Sequence, residues 1–212
     1  MNVVITIGRE FGSGGRELGR RLADDLGIAY YDKEIILEIE HETPFSKEYI
    51  EEVSESRPVP LFPIHYGNTW TPIADPHFEQ SIDVYRAQSD IIKNMADKSS
   101  CVIIGRGADF ILRDRPVIRL FVYADMDQKI ARCKAREKDG ENLSDKEIAK
   151  RIKKVDVRRK KYYEFYTGQV WGDRKNYDMM INTTNADIKE IANMLAGFIR
   201  ERMKEEKPSL AK

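Results

Sequence analysis

The stretch "GREFGSGGRELG", Gly8 to Gly19, decides how this chain is read, because it turns a buried strand into a helix through repeated glycines. The run before it, "NVVITI" from Asn2 to Ile7, is short and rich in β-branched residues, as in a strand covered on both faces. After it, Leu18, Leu22 and Leu26 recur at helical spacing, and Gly27 is placed to stop the helix. A loop of this kind presents unpaired backbone N–H groups and the positive end of a helix dipole, and its glycines let an anion approach the backbone closely. Phosphate is the natural guest, and Gly12, Ser13, Gly14, Gly15, Arg16 and Glu17 are the residues expected to meet it, with the Ser13 hydroxyl a ligand for Mg²⁺. The competing reading is a tight structural turn packed under a sheet.

The side-chain part of the loop departs from the usual pattern. A complete Walker A motif reads G-x-x-x-x-G-K-[ST], and no register here satisfies it. With Arg16 in the lysine role, Glu10 replaces the first glycine and Glu17 the metal-holding hydroxyl; with Gly14 as the second glycine, Arg9 replaces the first and Gly15 takes the lysine position. A dinucleotide-binding G-x-G-x-x-G also fails, because Glu17 stands where the third glycine would follow Gly12 and Gly14. Arginine neutralises a phosphate, but its planar fork does not reach the point a lysine ammonium reaches. Phosphate binding is therefore expected to survive better than catalysis.

Outward from the loop, "IAYYD" reads as a strand and "KEIILEIEHE" as a helix. From about Thr43 to Pro76 six prolines interrupt any period, the look of an insertion or flap. A helical period resumes from Phe78 to Ala96. "CVIIG" and "VIRLFVYA" are further buried strands, and "DMDQKIARCKARE" is a helix starting at Asp125 or Asp127. Ser144 and Glu147 are spaced as a capping box for a helix carrying Arg151, Arg158 and Arg159. "YDMMINTT" gives a last strand and "ADIKEIANMLAGFIRERM" a closing helix. Strands alternating with helices argue for a parallel sheet covered on both faces, with ligands outside the carboxyl ends of the strands, where the glycine loop, Asp32 and Arg106 converge.

The chain of 212 residues fits one domain with room for an insertion. Its 36 Lys+Arg balance 36 Asp+Glu, so it lacks the basic footprint of a nucleic-acid-binding protein, and any anion site is local. No apolar run approaches the roughly 18 residues of a membrane span and no leader precedes the first strand, so a cytoplasmic protein is expected. Cys101 and Cys133 are expected to be reduced thiols, and His41, His65 and His77 lack the spacing of a metal site.

Taken together, "ITIGREFGSGGRELGRRLADDLGIAYYDKEII", "CVIIGRGADFIL", the arginine-bearing segment with "YYEFYTG", and "YDMMINTT" resemble the cytidylate kinase-like family of P-loop proteins over nearly the whole chain except the proline-rich stretch and the tail. The resemblance implies an α/β fold with a P-loop NTPase-type parallel sheet sandwiched by helices. It also implies a core of about 1–42 and 97–212, a monophosphate-binding insertion of about 43–96, and an arginine-rich helical lid of about 138–175. It implies ATP and Mg²⁺, with CMP or dCMP as acceptor, and small-molecule nucleotides rather than nucleic acid or membrane as partners of a monomer or homodimer. Arg106 carries over as the holder of the acceptor's phosphate. Gly107 stands where the family pattern has the aspartate implied to read cytosine, and Asp109 lies two positions on. The family's Asp-Ser/Thr-Gly becomes Asp32, Lys33, Glu34. If the family layout holds, Arg86 and Gln88 face the acceptor side.

Phosphoryl transfer needs substrates held in line and positive charge around the moving group. Arg16, Arg151, Arg158 and Arg159 are the expected catalytic cations, positions 151 and 158 sharing one helix face with 159 beside it, unless they form a solvated face. Asp32 is expected to orient the acceptor or metal, or else to cap the helix from Lys33. Tyr66, Trp70 and Phe78 are candidates for an aromatic wall against a base, or for packing or a dimer contact. Two other readings stay open: a kinase for a non-nucleotide metabolite, and a nucleotide-binding protein that has lost phosphoryl transfer.

Overall fold

The computed structural model describes residues 2–54, 76–136 and 143–205. Five parallel strands, β1 (Val4–Arg9), β2 (Ala29–Tyr31), β3 (Cys101–Ile104), β4 (Val117–Tyr123) and β5 (Met179–Asn182), form one sheet in the order β2-β3-β1-β4-β5. The order reverses around β1, which is paired with β3 on one side and β4 on the other. In an open parallel sheet that reversal leaves a crevice at the strands' carboxyl ends.

The helices are α1 (Gly15–Leu26), α2 (Glu34–Glu42), α3 (Lys47–Val53), α4 (Pro76–Lys98), α5 (Ala108–Ile111), α6 (Met126–Lys134), α7 (Asp145–Thr167) and α8 (Ile188–Glu205). Side-chain alternation along the strands sorts them into two layers. Ile5 and Ile7 of β1, with Val102, Ile104, Leu120 and Val122, pack against Leu18 and Leu22 of α1 and Leu195 and Ile199 of α8. Val4, Cys101, Ile103 and Val117 face the other way, onto Ile35 and Ile39 of α2 and Ile91 and Ile92 of α4. Both faces are thus dry, which is why the strands read as continuous apolar runs. No helix among the described residues is long and apolar enough to cross a membrane.

Three local outcomes bear on the site. The strand expected to end at Ile7 runs on to Arg9, because pairing with β4 continues through Gly8 opposite Phe121 and Arg9 opposite Val122. A Cβ on Gly8 would stand 2.8 Å from the Phe121 ring, so a glycine lets the ladder pass that aromatic and carries Arg9 to the strand's end. The capping box at Ser144 and Glu147 forms as its spacing implies. Within the stretch read as patternless, α3 is capped by the Ser46 side chain and buries Ile50; a helix of seven residues with one buried apolar position carries too little period to be seen in sequence. Pro58, Pro60, Pro63, His65, Tyr66, Trp70 and Pro72 lie outside the described residues.

Candidate active site at the carboxyl ends of β1 and β3

Gly12 and Gly14 adopt left-handed conformations, φ 78° and 84°, and Gly14 caps α1 without any side-chain hydrogen bond. Apart from the Gly15 amide, which donates to the Ser13 hydroxyl, the first-turn amides of α1 have neither a preceding carbonyl nor a capping side chain, the condition under which a helix start attracts an anion. In front of them opens a cleft of about 460 Å³ lined by Arg9 to Gly12, Gly14 to Arg16, Arg132, Cys133, Arg136, Ile148, Arg151 and Arg159. Six arginines around a helix N-terminus give a local positive field in a chain of zero net charge.

The loop's side chains stand differently from the sequence expectations. Ser13 is fully buried; its hydroxyl donates to the Glu10 carbonyl at 2.9 Å and accepts from the Gly15 amide at 3.4 Å. Both of these hydrogen bonds lie within the turn itself. The Glu17 carboxylate pairs with Arg21 at 3.0 Å and Arg136 at 2.5 Å. Arg16 lines the cleft with its guanidinium locked onto Asp32, Nε to Oδ2 at 2.6 Å and Nη2 to Oδ1 at 3.3 Å. Asp32, itself buried, is consequently not a helix cap; Lys33 occupies that position. Burial, with the Asp32 charge nearby, pushes the neighbouring Tyr30 hydroxyl up to about 12.

Beneath the loop lies a buried polar network that sequence reading missed. The Lys129 ammonium on α6 reaches Glu10 Oε2 at 2.8 Å and Asp156 Oδ2 at 3.4 Å, while Asp156 Oδ1 accepts the Phe11 amide at 2.7 Å. Burial raises the Asp156 carboxyl, against lowering by that amide, Lys129 and Arg159. One turn along α6, Arg132 donates to the Ser13 carbonyl and to both oxygens of Thr183, whose own hydroxyl bonds the Ser13 carbonyl at 2.7 Å. These contacts fix the loop's backbone from below. The available signal was a pair of cations three residues apart on the helix after β4, a spacing that places them on one face.

A second cavity, of about 30 Å³, adjoins the first and is lined by Arg9, Gly105, Arg106, Gly107, Asp109, Arg159, Tyr162, Tyr163, Trp171 and Tyr177 among others. Gly105, Arg106 and Gly107 all have positive φ (68°, 60° and 64°), so β3 ends in a left-handed turn that projects into this space. For Arg106, a residue with a Cβ, that conformation is uncommon and marks a constrained position. Its carbonyl is held at 3.1 Å by the amide of Gln88, which also donates to the Tyr162 hydroxyl at 2.8 Å. Gln88 is thus a buried support for Arg106 and does not line the cavity. Arg86, expected beside it, is 73% exposed and pairs with Asp83 on α4 itself, away from both cavities. Asp109 accepts the Tyr163 hydroxyl at 2.6 Å, and burial raises its carboxyl.

The lid arginines divide by geometry. Arg151 and Arg159 line the larger cleft, and Arg159 the smaller one as well. Arg158 is exposed and lines neither. At 100° per residue the inward face of α7 runs from Ile148 and Arg159 round to Arg151, and Arg158 falls beyond its edge. Phe78 packs edge-on against Phe165 of α7, their ring centres 6.2 Å apart. His41 and His77 are exposed, and no group of three potential metal-ligating side chains occurs among the described residues.

The chain's likeness to known proteins agrees with this geometry. Of solved structures, an uncharacterized protein from Eubacterium ventriosum is 29% identical over 94% of this chain and 99% of that one, with a TM-score of 0.66. Shikimate kinase from Acinetobacter baumannii (16% identity, 95% of each chain, TM-score 0.53) and a gluconokinase from Sinorhizobium meliloti (12%, 98% of each, 0.52) share the fold. No curated protein sequence matches. The pattern of the Cytidylate kinase-like family matches residues 4–185, so this five-stranded P-loop kinase fold, with its glycine loop at the reversal of the sheet, belongs to that family.

Proposed function

We propose that the protein transfers the γ-phosphoryl group of Mg²⁺-bound ATP to a small phosphorylated acceptor, with a nucleoside monophosphate such as CMP or dCMP the leading candidate. The observation that carries this reading is the junction of the two cavities: a phosphate cradle and a cationic, aromatic pocket meet at two shared arginines, Arg9 and Arg159. Such an arrangement suits a reaction in which an acceptor oxygen forms a bond to the γ-phosphorus as the bond to the β-phosphate oxygen breaks, the charge on the equatorial oxygens being met by guanidinium groups. The backbone of Gly12 to Arg16 would hold the donor phosphates and Arg106 the acceptor's. Residues 138–175 would act as the lid through Arg151 and Arg159, and residues 43–96 would form the acceptor side.

A second reading, a non-nucleotide acceptor, draws support from Gly107, which offers no side chain for reading a base. Both are tested by incubating the purified protein with Mg²⁺, ATP and a panel of nucleoside monophosphates, hydroxylated carboxylic acids and sugar acids. ADP release is expected to rise about tenfold or more over the acceptor-free rate with CMP or dCMP. A rise confined to the acids would favour the second reading, and no ADP with any member would overturn both.

A further inference from the structure

We propose that Arg9, and not Arg16, supplies the positive charge that a lysine supplies in a complete Walker loop. This rests on the phosphotransferase reading and names the residue that meets the transferred group. Arg9 is the last position of β1 and is still paired there with Val122 of β4, so its stem is held by the sheet. It is 7% exposed and lines both cavities, a position it shares only with Arg159 among the described residues.

The surrounding glycines are shaped to it. A Cβ on Gly105 would lie 1.7 Å from Arg9 Nη1, and a Cβ on Gly15 would lie 2.6 Å from Arg9 Cβ. The guanidinium therefore rests against the end of β3, beside Arg106, while its stem crosses the start of α1. Two positions, one in the glycine loop and one at the turn after β3, carry no side chain where a Cβ would meet the same arginine. Arg159 donates to the Arg9 carbonyl at 3.4 Å, which ties the lid helix to the same point.

Arg16 is poorly suited to the role. It is half-exposed, and its charge is matched by Asp32 through two contacts. A cation so neutralised and solvated contributes less to a developing negative charge than one in a low-dielectric site. Arg9 has that setting, at the boundary a phosphoryl group must cross between the two cavities.

The test compares binding of Mg²⁺ with ADP and with its γ-phosphate-bearing, non-hydrolysable analogue AMP-PNP to the full chain by calorimetry, in wild type, Arg9→Met, Arg9→Lys and Arg16→Met. Arg9→Met is expected to weaken AMP-PNP about tenfold or more, the scale of a lost charge-assisted hydrogen bond, while ADP changes about threefold or less. Arg9→Lys, which keeps stem and charge, is expected to fall between, and it carries the test should Arg9→Met not fold, as judged by its circular dichroism. AMP-PNP affinity unchanged in the Arg9 variants, or lost on Arg16→Met instead, overturns the assignment alone. Wild-type protein that binds neither nucleotide overturns the phosphotransferase reading and the assignment with it.

Discussion

Replacing Lys129 by methionine is expected to cost about 3 kcal/mol of stability, the scale for removing one partner of a buried ion pair. The Lys129 side chain is 7% exposed and is shared between Glu10 and Asp156. Without it two carboxylates face each other under the glycine loop, one of them already raised by burial. A carboxyl raised in the folded state binds its proton more tightly there than in the unfolded chain, so its contribution to stability is greatest at low pH and is lost as pH rises through the interval above the ordinary carboxylate value. Removing Lys129 widens that interval. The deficit of Lys129→Met in urea melts should therefore be larger at pH 7 than at pH 5, and Asp156→Asn in the same chain should recover part of it. A deficit independent of pH, or one below about 1 kcal/mol, would mean that the three groups are not coupled as the distances imply.

Arg159→Met is expected to lower the phosphoryl-transfer rate about a thousandfold, whereas Arg158→Met should stay within a few-fold of wild type. The two are adjacent in sequence and both are cationic, so bulk charge cannot separate them. Geometry does: Arg159 is 12% exposed on its side chain and borders both cavities, while Arg158 points to solvent. Steady-state ADP release with the acceptor found by the panel reads both variants. Equal losses would show that α7 acts through its overall positive field; a loss only in KM would make Arg159 a binding residue without a role in the transition state.

The sheet, its covering helices and the position of the glycine loop were legible because each rests on local pattern: β-branched runs, leucines at helical spacing, Gly27 and the Ser144–Glu147 box. Of the candidate site, the course of the loop's backbone was legible and the contacts of its side chains were not. Ser13 could not be seen to turn inward, because whether a loop hydroxyl faces a ligand or its own backbone depends on the Glu10 carbonyl three residues earlier in a folded turn. Arg16 drew attention as the charge nearest the lysine position, yet its partner, Asp32, arrives from the far end of β2. The setting of Arg9 was hidden by the same token: Gly15 and Gly105 stand against it, one close in sequence and the other just after a strand from the middle of the chain. Arg151 and Arg158 share a helical face in isolation, but the cleft lies on the side fixed by Ile148 and Arg159, and only tertiary packing chooses that side.

The most direct measurement is a crystal structure of the protein with Mg²⁺ and AMP-PNP. The expected result is a triphosphate cradled by the backbone of Gly12 to Arg16, its γ-phosphate within hydrogen-bonding distance of the Arg9 and Arg159 guanidinium groups and facing the cavity that holds Arg106. A nucleotide bound elsewhere, or a γ-phosphate bound by Arg16 with Arg9 out of reach, would contradict a phosphoryl path running between the two cavities.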